Sequence, residues 1–385
     1  MKIAYLINGM FNSAGRERVV SSKATFLTQK GFEITIITTD QKGRPYYYDI
    51  PKSVKKVDFE INNENYAHLS LLKRVFAFLH NDKMFKKKLI SFLECNPQDI
   101  IVTLEDRFIP VIVQVAYGKS HLLAESHFNK YAFDEIGKSV SRGFIQRVVY
   151  RIRALYIEKR YYSKLDRYVL LTYEDMGYRR NEIKNAVVIP NSISYDKSKV
   201  ASLDNKVVIG VGRLSYQKGF ERLIEAWRIV EKSNPEWSLH IYGNGEDKEN
   251  LQALINKYEL NNCIIIFPPT QDIEDRLLNS SIYVLSSRFE GLPMVLLEAM
   301  SLGLPIVSFD CKTGPKDLIK DGYNGYLVPE GNIEILADRI LHLIQNENLR
   351  KTIGQNAKKE AAKYSHEIIV SQWESLFNQL MNSKK

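Results

Sequence analysis

Two glutamates and two cations carry the chemistry that can be read directly from this sequence. Glu290 and Glu298 stand eight residues apart in Ser286-Ser-Arg-Phe-Glu290-Gly291-Leu292-Pro293-Met294-Val295-Leu-Leu-Glu298, and Arg213 and Lys218 stand five apart in Gly212-Arg213-Leu-Ser-Tyr-Gln-Lys218-Gly219. The cations suit a diphosphate, Arg213 as a planar fork on two oxygens and Lys218 as a point charge. If both glutamates were helical they would lie about 12 Å apart along the axis. That is too far for an acid and base bridging one bond, as in a glycosidase, and suits two clamps on a long ligand. A helix-capping Glu290 and a solvated Glu298 are the plainer alternative that spacing alone leaves open.

The elements that must position these groups follow from the pattern around them. An apolar run through Leu285 reads as a strand, Gly291 and Pro293 punctuate a loop, and helical spacing runs from 294 to 302 until Gly303 stops it. With Pro293 at the first helical position, the free amides of Met294 and Val295 point out of the loop and favour an anion. Helix amides between two carboxylates fit a diphosphate flanked by hydroxyl-rich groups, which describes a nucleotide sugar. Upstream, a strand over 206–211 and a helix over 221–232 flank the cations. A strand over 238–242 ends in Gly243-Asn-Gly245-Glu246, where small residues leave room for a nucleotide or simply make a turn. Further elements are expected over 263–267 and 273–278.

The stretch from Ser286 to Val307 resembles the Glu-x7-Glu signature of retaining glycosyltransferases of family 4, and Gly212-Arg213-Leu-x-x-x-Lys218-Gly219 is similar to that family's second signature. The resemblance implies the GT-B fold, two Rossmann-like doubly wound α/β domains facing a cleft. It implies that Glu298 holds the ribose hydroxyls and Glu290 a hydroxyl of the donor sugar, with Gly212, Gly243, Gly291, Leu292, Pro293, Met294 and Val295 lining the donor. Residues 310–329 resemble a subset that elongates lipid-linked or capsular oligosaccharides. The family works without a metal, and no Asp-x-Asp triplet occurs in the sequence, so neither metal nor cofactor is expected.

At 385 residues, with 44% apolar and 26% charged side chains, the chain is too long for one core and two domains are expected. The boundary falls near 192, after Val187-Val-Ile-Pro190-Asn191, giving domains over 1–191 and 192–365 and a last helix, 366–385, that crosses back to the first domain with Ile368, Trp373 and Leu376 or Phe377 as contacts. The N-terminal segment opens as strand (1–8), loop and helix (to Gln29), with Gly15 at the helix start, where backbone can approach a donor phosphate or sugar or simply make a tight turn; in Gly15-Arg-Glu17-Arg-Val19 it resembles the family's glycine loop, although the usual paired glycines are Ala14-Gly15 here, and the resemblance implies that Gly15 binds the donor. After strands over 99–104 and 120–124 comes Glu125-Ser-His127; polar groups at a strand's C-terminal end mark ligand sites in open α/β sheets. By the same resemblance His127 is the histidine that reaches the transferred sugar, though a lone histidine is more often structural.

Charge divides unevenly: 33 basic against 21 acidic side chains in residues 1–200, and 21 against 24 in 201–385. Basic amphipathic patterns over 69–94 and 142–167 account for much of the excess, and they read as core-packed helices with solvated faces or as surfaces for anionic lipid or a lipid diphosphate. No nucleic-acid-binding signature is present. No apolar run approaches the roughly 18 residues of a membrane span, and the N-terminal apolar segment is broken at Asn8-Gly9, so a cytoplasmic chain, free or peripheral at the inner face of the plasma membrane, is expected. Cys95, Cys263 and Cys311 have no metal-ligand spacing and are expected as buried thiols.

The expected activity is therefore transfer of a hexose or N-acetylhexosamine, from a UDP-sugar by preference, to a glycan on a polyprenyl-diphosphate-type carrier in surface polysaccharide synthesis. An epimerase or hydrolase of nucleotide sugars, and an inactive sugar-nucleotide or lipid-binding homologue, are the alternatives.

Overall fold

The computed structural model describes residues 1–12, 15–62, 71–127, 129–130 and 144–383, without the side chains of 71–76, 78 and 144–150. The chain divides into two compact units, the first built from the described residues up to His127, from 144 to Pro190 and from Glu367 onward, the second from Asn191–His366 together with Asn129 and Lys130.

In the first unit β1 (Lys2–Ile7), β2 (Glu33–Thr38), β3 (Lys55–Asp58), β4 (Ile100–Thr103), β5 (His121–Glu125), β6 (Arg167–Leu170) and β7 (Ala186–Val188) form a parallel sheet in the order β3-β2-β1-β4-β5-β6-β7. Its central strands are buried throughout, as in Ile3-Ala4-Tyr5-Leu6-Ile7, because helices cover both faces; that is why these strands read as unbroken apolar runs. The helices are α1 (Gly15–Gln29), α2 (Leu71–Cys95), α3 (Ile109–Ala116), α4 (Phe144–Tyr161) and α5 (Tyr173–Arg179). The C-terminal helix, His366–Asn382, packs Ile369, Val370, Trp373, Leu376, Phe377 and Leu380 into the same core as β1, β2 and β4.

Two expectations need correcting here. Ile368 is 45% exposed, and its neighbours Ile369 and Val370 make the contact instead, since the helix turns about 100° per residue. Cys95, the last residue of α2, is exposed, whereas Cys263 and Cys311 are buried. Of the two readings of the basic amphipathic segments, both find support: among the described side chains of α4 Ile157 and Tyr161 are buried, while Ile152, Leu155 and Tyr156 face solvent, as does Leu79 on α2. Leu72, Val75, Phe76, Ile145, Val148 and Val149 lie outside the described side chains.

The second unit holds β8 (Val207–Val211), β9 (Ser238–Tyr242), β10 (Ile264–Phe267), β11 (Ile282–Leu285), β12 (Ile306–Phe309) and β13 (Gly325–Val328), parallel and in the order β10-β9-β8-β11-β12-β13. They alternate with α6 (Phe220–Val230), α7 (Lys248–Lys257), α8 (Ile273–Leu278), α9 (Met294–Ser301), α10 (Pro315–Leu318), α11 (Ile333–Gln345) and α12 (Glu347–Ala361). Trp227 on α6 is fully buried among residues of β8, β9, β12 and α11. Strand order reverses between β8 and β11 in this sheet and between β1 and β4 in the other. Such switch points open a crevice at the strands' C-terminal ends, where ligands of open α/β sheets bind.

Candidate functional site

In the second unit the loops that leave β8 and β11 flank the switch point; they carry Arg213, Lys218 and Glu290, and the helix that follows the second loop carries Glu298. Lys218 Nζ donates to Glu290 Oε1 at 2.8 Å, and Ser287 Oγ donates to the same oxygen at 2.6 Å. Glu290 is 6% exposed. The ammonium group has three donors, so the pair leaves Lys218 two for a ligand. Arg213 is exposed and makes no ion pair with the described residues. The structure thus brings Lys218 and Glu290 together and leaves Arg213 open.

The two loops are stitched to each other through backbone. Arg288 N donates to Gln217 O at 2.8 Å, Gln217 Nε2 to Phe289 O at 3.1 Å, and Ser286 Oγ to Lys218 O at 2.9 Å. Arg288 also pairs with Glu221 and lies 4.0 Å from the Tyr216 ring centroid. Arg222, 9% exposed on the first turn of α6, donates to Ser286 O at 2.6 Å and Glu330 Oε1 at 2.7 Å. Gly219 caps α6 in a left-handed conformation (φ 59°), with Ser286 O only 2.6 Å from where a Cβ would sit. The turn and the close approach both require glycine.

Pro293 is the residue before the first helical one rather than the first itself. Its ψ of 95° is extended, and its carbonyl accepts from Leu297 N at 3.2 Å, so α9 begins at Met294 and ends at Ser301. The amides of Met294, Val295 and Leu296 precede any intrahelical acceptor and give the loop its partial positive charge. Glu298, half-buried, lies one turn further along α9. Gly291 is half-buried and Leu292 buried in the loop between.

Behind Glu290 lies a buttress that spacing did not reveal. Asn129 Nδ2 donates to Glu290 O at 2.5 Å, Thr313 Oγ1 donates to the same carbonyl, and Glu290 N donates to Lys312 O at 3.1 Å. Thr313 is fully buried with φ 60°, a left-handed conformation that costs a β-branched residue about 1–3 kcal/mol. Gly314 follows at φ 98°, its missing side chain facing Pro293 Cδ and Gly291 O within 3 Å. Cys311 is buried in this wall, and burial together with Glu290 pushes its thiol well above the ordinary range, which makes it inert. Tyr283, fully buried on β11, is pushed up by burial and then by Glu290 and Glu298.

Gly243 and Gly245 serve packing. A Cβ on Gly243 would meet Gly212 O at 1.9 Å and one on Gly245 would meet Leu214 O at 2.2 Å. Leu214 N donates to Asn244 O at 3.0 Å, locking the turn after β9 against the Arg213 loop. Gly212 supports the Lys218 stem, whose carbons lie 3.0 to 3.2 Å from a Cβ built there.

The first unit has its own polar groups at the ends of β1, β2, β4 and β5. Gly15 starts α1, and Arg16 pairs with Glu105 beyond β4. Arg107 donates to Asn8 and lies 3.5 Å from Asp40. His127, two residues beyond β5, has Nε2 3.2 Å from Glu125 Oε1, and Lys23 Nζ donates to both oxygens of Glu125 at 2.6 and 2.7 Å. Lys23 is a residue that spacing could not have signalled.

A family profile described as "Glycosyl transferases group 1" matches residues 192–360, which contain the stitched loops. The chain is 30% identical to the amylovoran biosynthesis glycosyltransferase AmsD of Erwinia amylovora, over 98% of this chain and 99% of that one. In fold it is similar to sucrose-phosphate synthase from Thermosynechococcus elongatus (TM-score 0.81, 18% identity, all of both chains). It is also similar to a mutant of Staphylococcus aureus TarM solved with Fondaparinux, alpha-GlcNAc-glycerol and UDP (TM-score 0.76, 18% identity, 98% of this chain and 99% of that one).

Proposed function

Because the chain belongs to the glycosyl transferases of group 1, with the two parallel-sheet domains of the GT-B fold, we propose that it transfers a hexose or N-acetylhexosamine from a UDP-sugar, with retention, to a glycan acceptor in surface polysaccharide synthesis. The supporting observation is the Lys218–Glu290 pair at 2.8 Å beside the free amides of α9, at the β8/β11 switch point. As the bond from sugar to diphosphate breaks, charge grows on the leaving phosphate, and preorganised donors aimed there supply the largest catalytic effect. Arg213, the remaining protons of Lys218 and the amides of Met294 and Val295 are those donors. No metal takes part in this scheme. Glu298 accepts from the ribose hydroxyls. Glu290, neutralised by Lys218 and braced by Asn129 and Thr313, accepts from a hydroxyl of the sugar and is a positioning residue, not a nucleophile. The names of AmsD, a biosynthetic enzyme of amylovoran, and of the TarM complex, which holds UDP, support the acceptor class and the nucleotide.

Calorimetric titration with UDP, GDP and their sugar conjugates in EDTA tests the donor assignment. Micromolar binding of UDP without metal is expected, and binding of GDP alone would replace it. Release of nucleoside diphosphate only when a glycan acceptor is present separates transfer from hydrolysis, and nucleotide binding without any turnover would instead mark a binding subunit.

The acceptor is carried on a lipid diphosphate, and the first unit docks on anionic lipid through α2 and α4. Arg153 and Asp82 lie 3.7 Å apart and join the two helices. Leu79, Ile152, Leu155 and Tyr156 are exposed among Lys83, Lys87, Arg151, Lys159 and Arg160, the mixture that seats a helix in a headgroup layer. No helix among the described residues is long and apolar enough to cross a membrane. Co-sedimentation with phosphatidylglycerol vesicles at low salt is expected; equal recovery with neutral vesicles, or none with either, would remove this part.

A further inference from the structure

The mechanism leaves one buried charge cluster in the first unit unused. Lys23 on α1 and Glu125 at the end of β5 have side chains only 7% and 1% exposed. The ammonium group contacts both carboxylate oxygens and lies 3.8 Å from the ring centroid of Trp373, on the C-terminal helix, and 5.7 Å from that of Tyr5. A desolvated ion pair is weak evidence for stability, because apolar residues of similar volume usually serve the fold as well or better. Its presence asks for another reason.

That reason stands at 3.2 Å. The His127 side chain is 5% exposed, Glu125 Oε1 faces its Nε2, and no hydrogen-bond partner for that nitrogen is present among the described residues. The approach is not aligned as a full hydrogen bond, so the contact is electrostatic. We propose that Glu125, itself held by Lys23 beneath Trp373, is a positioning residue for His127: it fixes the ring in the Nε2-protonated tautomer and leaves Nδ1 as the ring's sole acceptor. Burial works against an ionised Glu125, but Lys23 and then His127 outweigh it and hold the carboxyl at about 2. A carboxylate that stays ionised selects the protonated nitrogen beside it, the way outer carboxylates set the tautomer of metal-bound histidines. The transferase reading enters only in the activity readout below.

The experiment uses the full chain labelled with ¹⁵N-histidine, the His127 ring signals being assigned by their loss in His127→Gln. In the wild type a single Nε2–H tautomer is expected. The double variant Lys23→Met/Glu125→Leu removes the pair without stranding a charge, so it should fold with wild-type thermal stability and bind UDP as before. Its ring should populate both tautomers, and sugar transfer should fall roughly 10- to 100-fold, the usual cost of losing such a partner. An Nδ1–H ring in the wild type, or a double variant with an unchanged ring spectrum and full transfer, overturns the proposal. If the double variant does not fold, the wild-type ring spectrum decides alone: an Nδ1–H ring or a mixture of both tautomers overturns the proposal. Failure of the wild type to bind UDP would sink the transferase reading while leaving the ring result standing.

Discussion

The donor loops of the second unit and the Lys23–Glu125–His127 cluster of the first solve the same problem by different routes. Each sets a charged or polar side chain at the C-terminal end of a parallel strand and neutralises it with a lysine. Between Lys218 and Glu290 the lysine is 20% exposed and keeps donors to spare; between Lys23 and Glu125 both partners are sealed and no donor faces solvent. The first arrangement suits a group that must meet a ligand's charge, the second a group that must only hold another side chain still. Exposure, more than pairing, separates the two roles.

The largest test of that contrast lies in the donor loops. Lys218→Ala removes one leaving-group cation and strands Glu290, and turnover should fall by about 10²–10³. Glu290→Ala should also lower turnover while leaving UDP affinity nearly intact. Glu298→Ala should do the opposite, weakening UDP roughly tenfold to a hundredfold, as expected for hydrogen bonds to a charged group. Steady-state kinetics paired with calorimetry separates these patterns. Full activity in both glutamate variants would dissolve the distinction between a ligand-facing and a merely structural pair.

Next in size are the glycines that let the loops meet. Gly219→Ala places a Cβ 2.6 Å from Ser286 O at a positive φ, costing about 1–3 kcal/mol. That corresponds to a drop of several degrees in Tm for a domain of this size. Gly243→Ala drives a Cβ to 1.9 Å from Gly212 O; the Arg213 loop must move, so UDP binding should weaken alongside Tm. If Tm drops and UDP affinity holds, the loop carrying Arg213 does not touch the nucleotide.

Why the two regions differed so much in legibility follows from how their contacts are spaced along the chain. The donor site is two contiguous loops, each with its chemistry inside ten residues, so Arg213, Lys218, Glu290 and Glu298 could be read directly, as could the strands, whose double-sided burial leaves unbroken apolar runs. Helix ends were less readable: Pro293 was placed one position too far into α9, because proline fits both the position before a helix and its first turn. The buttress was invisible, since Asn129 and Thr313 reach Glu290 from 161 and 23 residues away. At Gly243 the sequence left room for a nucleotide and a plain turn as equal readings, because it does not show that Gly212 O lies 1.9 Å from where a Cβ would sit. Lys23, Glu125 and Trp373 come from α1, β5 and the C-terminal helix, and no local pattern joins them.

The smallest expected effect comes from the sealed pair and is read by pH. Glu125 has a folded-state pKa depressed to about 2, so the folded state binds fewer protons than the unfolded chain in the range between that value and the ordinary carboxylate value. Its contribution to stability is therefore fully present above the ordinary carboxylate range and is lost as pH falls toward about 2. Burial lowers the pKa of Lys23 and Glu125 opposes that, and the double variant removes Lys23 together with Glu125. Comparing thermal stability of the wild type with Lys23→Met/Glu125→Leu from neutral pH downward should show the wild type losing stability more steeply in that acid window alone. Parallel curves would mean that Glu125 is not ionised against Lys23, and the partner that orients His127 would be gone.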